Sequence, residues 1–270
     1  MNNLISAIKA SNIAECALPF SVYSSIKEQH LLNVPVVKPL FIAVLDGDKK
    51  LGEKGEILCR AGDFIFLSDS PAINMRNIPK NNEYFALLIE FEYGDFVGIS
   101  VENTINSSEN FTVGEISIAL EKCLLQFVEW SLYAPQAMRP LRKKELLQLL
   151  CHLGHPEVLA MAAPHKLGQK LYSILTKQPS ADLSVSVLCQ QVAMSESTLR
   201  RKLSAEGTSL QEIKDQVKLG FGLHLLQTTN YSIVFIAEQC GYQSQSRFSS
   251  RFKERFGLTP SALRKTKTKG

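Results

Sequence analysis

The chain has 270 residues, of which 45% are hydrophobic and 21% are charged, and its formal net charge is +4. This composition excludes a disordered or fibrous chain, and the length favours two domains with ample apolar core. The sequence contains no run of 18 apolar residues and no basic N-terminal segment followed by a long apolar run, so we expect a cytoplasmic protein without a membrane span. Its six cysteines are scattered without a C-x-x-C pair, which indicates free thiols in a reducing compartment.

Strand-like sequence extends from residue 36 to residue 96. The runs PLFIAVLDGDKK, EILCRAGDFIFLSDS and EYFALLIEFEY are rich in β-branched and aromatic residues, and short turn sequences such as Asp-Gly separate them. Several short strands at this spacing predict a small barrel or sandwich.

Helical periodicity begins near residue 113. Ile116, Leu120, Leu124 and Val128 recur every four residues, and a second group of leucines follows between residues 141 and 150. Pro or Gly lies near each break, which predicts two or three helices with short connections. A further helix is predicted over residues 165–176, and it ends in the polar, proline-containing stretch KQPSAD, the best candidate for a domain boundary.

The sequence does not contain the arrangements that are typical of enzyme sites. A metal-dependent cupin enzyme needs a His-x-His pair and a Glu on its strands, yet no His occurs between His30 and His152. Cys151, His152 and His155 have no evident fourth ligand, so we interpret them as polar residues at a helix end. Phosphate-binding loops, nucleophile elbows and the Cys-rich spacing of an Ada-like repair protein are also missing. We therefore expect no catalytic residues, no metal and no cofactor.

A first helix-turn-helix pattern lies in residues 184–203, SVSVLCQQVAMSESTLRRKL. Ser195 is a candidate N-cap for its second helix. With Leu199 and Leu203 facing inward at 100° per residue, the outward positions are Ser197, Thr198, Arg201 and Ser204, with Arg200 at the margin. The first two turns of such a helix reach base edges, although the same positions also suit ordinary solvated residues.

A helix joins this pattern to a second one. Ser209-x-x-Glu212 is a capping-box sequence, and the helix it opens continues to about Gln227. Its length of about 28 Å is close to the ~34 Å between successive major-groove faces of DNA. Gly220 and Gly222 each cost about 1 kcal/mol relative to Ala, which suggests close packing against a neighbouring helix.

The second pattern lies in residues 232–252, SIVFIAEQCGYQSQSRFSSRF. Gly241 provides the turn with its conformational freedom. Phenylalanines at every fourth position form the inward stripe of the following helix, which places Gln245, Ser246 and Arg247 as candidates for base contacts and Arg251 and Lys253 as candidates for phosphate contacts. Residues 181–270 also hold 13 Lys and Arg against 7 Asp and Glu, so the positive charge is concentrated where a polyanion would bind.

The spacing IA..CGY.S.S.F...FK..FG.TP and the sequence LRRKLSAEGTSL resemble the DNA-binding domain of the AraC/XylS family of bacterial transcription regulators, over about residues 183–265. The resemblance implies that one major groove is read by the first pattern and the next by the second. Lys218, Gly222, Ala193 and Ser250 depart from the family's usual Arg, Ala, Gly and Arg. The residues predicted to contact DNA are Ser197, Thr198, Arg200, Arg201, Gln245, Ser246, Arg247, Ser250, Arg251 and Lys253.

The N-terminal half resembles the cupin-like sensing barrel of one branch of the same family, and LRKKELLQLLCHLG resembles the helix that follows it. The resemblance implies an α+β protein with a cupin-like β domain over residues 1–110, a helical dimerisation segment over 111–164, and a linker with an all-α double helix-turn-helix domain over 165–270. We expect a transcription activator that binds double-stranded promoter DNA and RNA polymerase as a homodimer. Its signal is either a small-molecule effector or a protein partner of the anti-activator type; a ligand-sized cavity in the barrel favours the former, and a barrel filled by side chains favours the latter.

Overall fold

Two antiparallel β-sheets form the N-terminal part of the computed structural model, which describes residues 1–11, 18–80, 83–99, 110–162, 166–177 and 183–267. One sheet has the strand order β1-β8-β3-β6-β9 and the other has the order β2-β7-β4-β5. The strands are β1 (Ser21–Ser25), β2 (Gln29–Val36), β3 (Leu40–Asp46), β4 (Asp48–Leu51), β5 (Ile57–Arg60), β6 (Asp63–Leu67), β7 (Ser70–Ile78), β8 (Tyr84–Glu90) and β9 (Phe111–Glu115).

The five-stranded sheet is apolar on both faces. On β3, Phe41 and Ala43 pack on the outer side with the N-terminal helices, whereas Ile42 and Val44 face the interior between the sheets. Successive side chains of a strand point to opposite faces, so a strand covered on both sides becomes a continuous apolar run. The run LFIAVL therefore occupies the centre of the domain.

Three helices cover the outer face of this sheet: α1 (Asn2–Ser11), α2 (Ile118–Ser131) and α3 (Arg139–His152). The helices α2 and α3 match the predicted periodicity, whereas α1, β1 and β2 lie before the segment in which structure was predicted. The strand β9 pairs with β6 at the edge of the five-stranded sheet. It lies beyond residue 110, where the β domain was expected to end. The onset of helix predicted near residue 113 was therefore too early.

The C-terminal part is helical, with α4 (Leu167–Leu175), α5 (Val185–Val192), α6 (Glu196–Ala205), α7 (Leu210–Thr228), α8 (Ile233–Gln239), α9 (Gln245–Phe256) and α10 (Pro260–Arg264). This confirms the predicted α+β fold class. The boundary expected at residue 164 and nearly all of the KQPSAD stretch lie outside the described residues. Among the residues that are described, no helix is long and apolar enough to cross a membrane.

The helical part is packed in two separate cores. Leu188, Leu199 and Leu203 of α5 and α6 pack with α4 and the first half of α7. In contrast, Phe248, Phe252 and other buried residues of α8, α9 and α10 share one continuous core with the second half of α7 and the interior of the two sheets. The N-terminal domain is therefore joined directly to the second helix-turn-helix unit.

Candidate nucleic-acid interface and interdomain cavity

The first helix-turn-helix unit consists of α5 and α6. The hydroxyl oxygen of Ser184 accepts a hydrogen bond from the Val187 amide at the start of α5, and that of Ser195 accepts one from the Thr198 amide at the start of α6. These bonds satisfy amides that have no partner within the helix, and they confirm Ser195 as the N-cap. Between the helices Ala193 has a φ of 54°, a left-handed conformation that favours glycine.

The second unit repeats this geometry with α8 and α9. Ser232 caps α8 by accepting from the Phe235 amide, and Ser244 caps α9 by accepting from the Arg247 amide. The left-handed position of this turn is Gly241, with a φ of 73°. Phe248, Phe252 and Phe256 are fully buried, as the four-residue spacing predicted.

The predicted DNA-contacting residues are grouped on the outer faces of α6 and α9. Most of them are exposed, and the half-buried ones are Thr198 and Arg251. The exposed members are Ser197, Arg200, Arg201, Gln245, Ser246, Arg247, Ser250 and Lys253. Their accessibility is compatible with contacts to a ligand as large as a duplex, and the contacts themselves stay a prediction.

Two of the candidate arginines form ion pairs within the protein. Arg200 pairs with Glu196 one turn earlier on α6, and both side chains are exposed. Arg251 donates hydrogen bonds to Asp215 at 2.7 Å and to Glu254 at 2.8 Å, and these carboxylates raise the pKa of its guanidinium. Because Asp215 lies on α7, the Arg251 contact also fixes α9 to the linker helix. Nothing in the sequence predicted this role, since pairing across helices leaves no periodic signal.

The linker helix α7 has 19 residues and begins at the N-cap Ser209, as predicted. The Glu212 carboxylate accepts from the Thr208 hydroxyl. A Cβ atom at Gly222 would lie 2.8 Å from Phe248 and 3.1 Å from the Cys240 sulfur, so the absence of a side chain allows α7 to approach α8 and α9. The corresponding atom at Gly220 would lie 3.1 Å from Pro35 of β2 and 3.2 Å from the Tyr172 hydroxyl of α4, so this glycine allows α7 to approach both elements.

A cavity of about 710 Å³ lies between the sheets and helices α4 and α7. Its apolar lining includes Leu31, Ile42, Met75, Leu88 and Leu223. This volume is within the range of small-molecule sites. A ligand-sized cavity is what the hypothesis of a small-molecule effector predicted. Its location against α7 could not be inferred from the strand pattern.

One buried cation lines this cavity. Lys49 of β4 is 2% exposed, and its ammonium nitrogen donates a hydrogen bond of 2.8 Å to Oδ1 of Asn77 on β7. Burial lowers the pKa of Lys49 to about 8, because the low-dielectric interior disfavours its charged form. Within the described part of the chain, no carboxylate forms an ion pair with Lys49.

A second group of titratable residues lines another part of the cavity. Glu90 of β8 lies in the wall with Tyr23, Tyr172 and His224. Burial lowers the pKa of His224, and the charge of Glu90 partly opposes this shift. Burial raises the pKa values of Tyr23 and Tyr172, and Glu90 adds to both shifts. Burial therefore favours the neutral forms of Tyr23, Tyr172 and His224, and Lys49 is the almost fully buried cationic side chain of the described lining.

The residues considered for a metal site have other contacts. His155 Nδ1 lies 3.3 Å from Glu157 Oε1, and its ring packs edge-on against Phe64. Thr112 donates a hydrogen bond to the same Glu157 oxygen. Over the described ranges, no three His, Cys, Asp or Glu side chains are grouped as metal ligands. Five cysteines are free thiols, and Cys16 lies outside the described residues.

Comparison with known proteins supports the interpretation of the C-terminal helices. A family described as a helix-turn-helix domain matches residues 188–266. The urease operon transcriptional activator of Escherichia coli is 31% identical over 96 residues, which are 36% of this chain and 32% of the relative. The transcriptional activator RhaR of Salmonella dublin is 31% identical over 120 residues, which are 44% of this chain and 43% of the relative. The chain thus covers less than half the length of either regulator.

Solved structures extend the similarity to the whole fold. The apo form of a variant of ToxT from Vibrio cholerae superimposes with a TM-score of 0.68, covers 94% of this chain and 100% of its own, and is 15% identical. Wild-type ToxT with a bound unsaturated fatty acid gives a TM-score of 0.64 at 14% identity and covers 92% of this chain and 95% of its own. The β-rich N-terminal part and the helical C-terminal part are therefore arranged as in ToxT.

Proposed function

We propose that the chain is a transcription regulator of the AraC/XylS type, which activates transcription by binding promoter DNA through both helix-turn-helix units, under the control of its N-terminal domain. The observation that carries the proposal is the pairing of two serine-capped helices on a single 19-residue linker helix. A linker of about 28 Å sets the two units to adjacent major-groove faces of one duplex.

The exposed residues of α6 and α9 have distinct roles in this proposal. Ser197, Arg200 and Arg201 read one groove, and Gln245, Ser246 and Arg247 read the next, because arginine bonds guanine in a bidentate way and short polar side chains fit several bases. Lys253 and Arg251 contact phosphates and set the register on the duplex. Thr198 and Ser250 add hydroxyl contacts.

We also propose that the helices α2 and α3, within the segment 111–164 expected to mediate dimerisation, form a homodimer interface. Ile118 of α2 is 79% exposed, Leu141 of α3 is 55% exposed and Tyr133 between them is 86% exposed, and a second copy of the chain would remove these apolar surfaces from water. RNA polymerase is the further partner that an activator requires.

The signal is a small molecule in this proposal. A cavity of about 710 Å³ next to the linker helix supports an effector more than a protein partner, for which a filled barrel was expected. The apolar lining together with one buried lysine suits a long-chain carboxylate, the chemical class of the ligand bound in the ToxT structure. A carboxylate at Lys49 would provide the counter-charge that the described part of the protein does not supply.

Genome-wide mapping of bound DNA, followed by footprinting, tests the promoter-binding proposal. The expected site has two short elements about one helical turn apart in an asymmetric arrangement, since one chain covers both. Footprints confined to a single element, or binding without sequence preference, would contradict it.

Calorimetry with oleate tests the effector class. We expect wild-type protein and the Lys50→Met control to bind oleate, and Lys49→Met to bind it more weakly, because Lys50 neighbours Lys49 on β4 but is not buried. Oleate affinity should also fall as the pH rises above about 8 in the wild type, since the unoccupied lysine becomes neutral there. Binding that is equal in both lysine variants and independent of pH would exclude the proposed ion pair.

A further inference from the structure

A row of buried polar side chains crosses the four-stranded sheet from the cavity to the second helix-turn-helix unit. The strand register places Gln29 of β2 opposite Asn77 of β7, and Asn77 opposite Lys49 of β4. All three side chains are at most 2% exposed. The row is therefore a continuous polar line on the inner face of a sheet that is otherwise lined with apolar residues.

The hydrogen bonds of the row continue from one domain into the other. Lys49 donates to Asn77 Oδ1 at 2.8 Å, and Asn77 Nδ2 donates to Gln29 Oε1 at 2.9 Å. The same oxygen accepts from Nε2 of Gln227 on α7 at 3.2 Å, and Gln29 Nε2 donates to the Thr266 hydroxyl at 2.8 Å. Gln227 is 2% exposed, so this contact between domains is excluded from water.

The lysine determines the direction of every bond in the row. An ammonium group has only donors, so Asn77 must present its oxygen to Lys49 and its amide group to Gln29. Gln29 must then present its oxygen to Asn77 and Gln227, and its own amide group to Thr266. A reversed amide at any point would place two donors or two acceptors face to face in a buried site, which is costly.

The far end of the row is attached to the elements that hold α9. Gln227 lies in the last turn of α7, and Thr266 follows α10, which packs on both α7 and α9. The Thr266 carbonyl also accepts a backbone hydrogen bond from Ile26 at 2.8 Å. A shift of Gln29 would therefore displace both the end of α7 and the segment after α10, which pack against the second unit. The first unit has a separate core.

We propose that the row Lys49–Asn77–Gln29, which branches at Gln29 to Gln227 and Thr266, couples occupancy of the cavity to the position of the second helix-turn-helix unit. The coupling rests on the proposed sensing role of the cavity. An anion that binds Lys49 competes with Asn77 Oδ1 for the ammonium donors and relaxes the constraint on each amide beyond it. The affinity of α9 for its DNA element then changes, while α6 keeps its own.

A double-mutant cycle on DNA affinity tests the row without any ligand. The variants are Lys49→Met, Gln227→Leu and the pair, measured on a site with both elements and on sites with either element scrambled. We expect each single variant to change affinity for the second element by about threefold or more, and the double variant to show no further change, because both break one chain. Additive effects, unchanged affinity, or equal effects on both elements would overturn the proposal.

A second substitution and a spectroscopic measurement test the row even if these variants fold poorly. Thr266→Val removes the hydroxyl at the half-buried end of the row with little change in shape, and it should be non-additive with Lys49→Met in the same way. Side-chain amide NMR signals of Gln29 and Gln227 should shift in Lys49→Met and not in Lys50→Met. Unshifted signals would mean that the row does not transmit a change.

Measurements of DNA affinity in the presence of oleate distinguish the proposed coupling from the proposed effector class. If oleate binds, it should alter DNA affinity in the wild type, whereas Gln227→Leu should bind oleate equally well without the change in DNA affinity. A response retained in Gln227→Leu would exclude the row as the link. If oleate fails to bind the wild type, the proposed effector class is wrong, and the ligand-free cycle still decides the coupling.

Discussion

The two helix-turn-helix units have nearly the same local geometry and very different surroundings. Each has two serine N-caps, a left-handed residue in the turn and arginines on the exposed face of its second helix. The core of the first unit is shared with α4 and the first half of α7, and Val37 of the N-terminal part packs at its edge, whereas the second unit shares a core with both β-sheets. Similar units can therefore differ in how they respond to the N-terminal domain, because among the described residues the core of the second unit is the one that continues into the interior of the β-sheets.

Core truncation should separate the two units most strongly. Phe252→Ala in α9 should lower the free energy of unfolding by about 3–5 kcal/mol, and Leu203→Ala in α6 by about 2–5 kcal/mol. Because Phe252 belongs to the core that continues into the sheets, its loss should also reduce amide protection in β2, whereas Leu203→Ala should leave β2 protected. Hydrogen exchange measures both effects, and equal loss of protection in β2 would contradict the division into two cores.

Loss of one arginine should weaken specific DNA binding by about 1–3 kcal/mol and relax base preference at one position. We expect Arg201→Ala to affect one element and Arg247→Ala the other, since these exposed residues lie on different reading helices. Binding to a library of site variants measures this. Lys202→Ala is a matched control, being exposed in the last turn of α6. Unchanged footprints in both arginine variants would remove α6 and α9 as recognition helices.

Substitutions in the two turns should change the stability in opposite directions. Gly241→Ala should destabilise the second unit by about 1–2 kcal/mol, because a left-handed conformation is unfavourable for a residue with a Cβ atom. Ala193→Gly should stabilise the first unit by up to about 1 kcal/mol, since it relieves that strain but adds freedom to the unfolded chain. Thermal unfolding of each variant measures the shift. A stabilising Gly241→Ala would contradict the strain argument.

The smallest effect is expected for a phosphate contact. Lys253→Ala should weaken binding by about 0.2–1 kcal/mol for all sequences alike, as for an exposed ion pair. The slope of log affinity against log salt should also become shallower by about one. Titrations at several salt concentrations test this, with Lys265→Ala on the exposed tail as a comparison. A sequence-dependent loss would instead assign Lys253 to base recognition.

The sequence predicted the helical half more completely than the β half. Caps, turn residues and apolar stripes are local features, and Ser195, Ser209 and Gly241 indicated their elements directly. The strands β1 and β2 were missed because inward positions such as Gln29 are polar and break the alternation on which strand prediction depends. Lys49 lies at the end of the strand-like run PLFIAVLDGDKK, and nothing in that run marked it as buried, since a charged residue is exposed by default.

Contacts between distant segments account for the rest. The pair Arg251–Asp215, the cavity and the row that ends at Gln227 each join residues far apart in the chain. A residue whose partner comes from another element leaves no periodic trace, so its burial and its pairing become visible only in the folded chain. Gly222 is intermediate, since its cost in a helix indicated close packing and the structure identified Phe248 as the neighbour.

Helix starts, turns and apolar faces depend on residues a few positions apart, so the amino-acid sequence was sufficient to predict two helix-turn-helix units joined by one helix. The folded chain was needed to show that the second unit shares its core with the β-sheets and that Lys49 is buried beside the cavity. The physical reason is that a buried lysine is tolerated only where strand register brings it a partner, here Asn77, and no local pattern specifies that meeting.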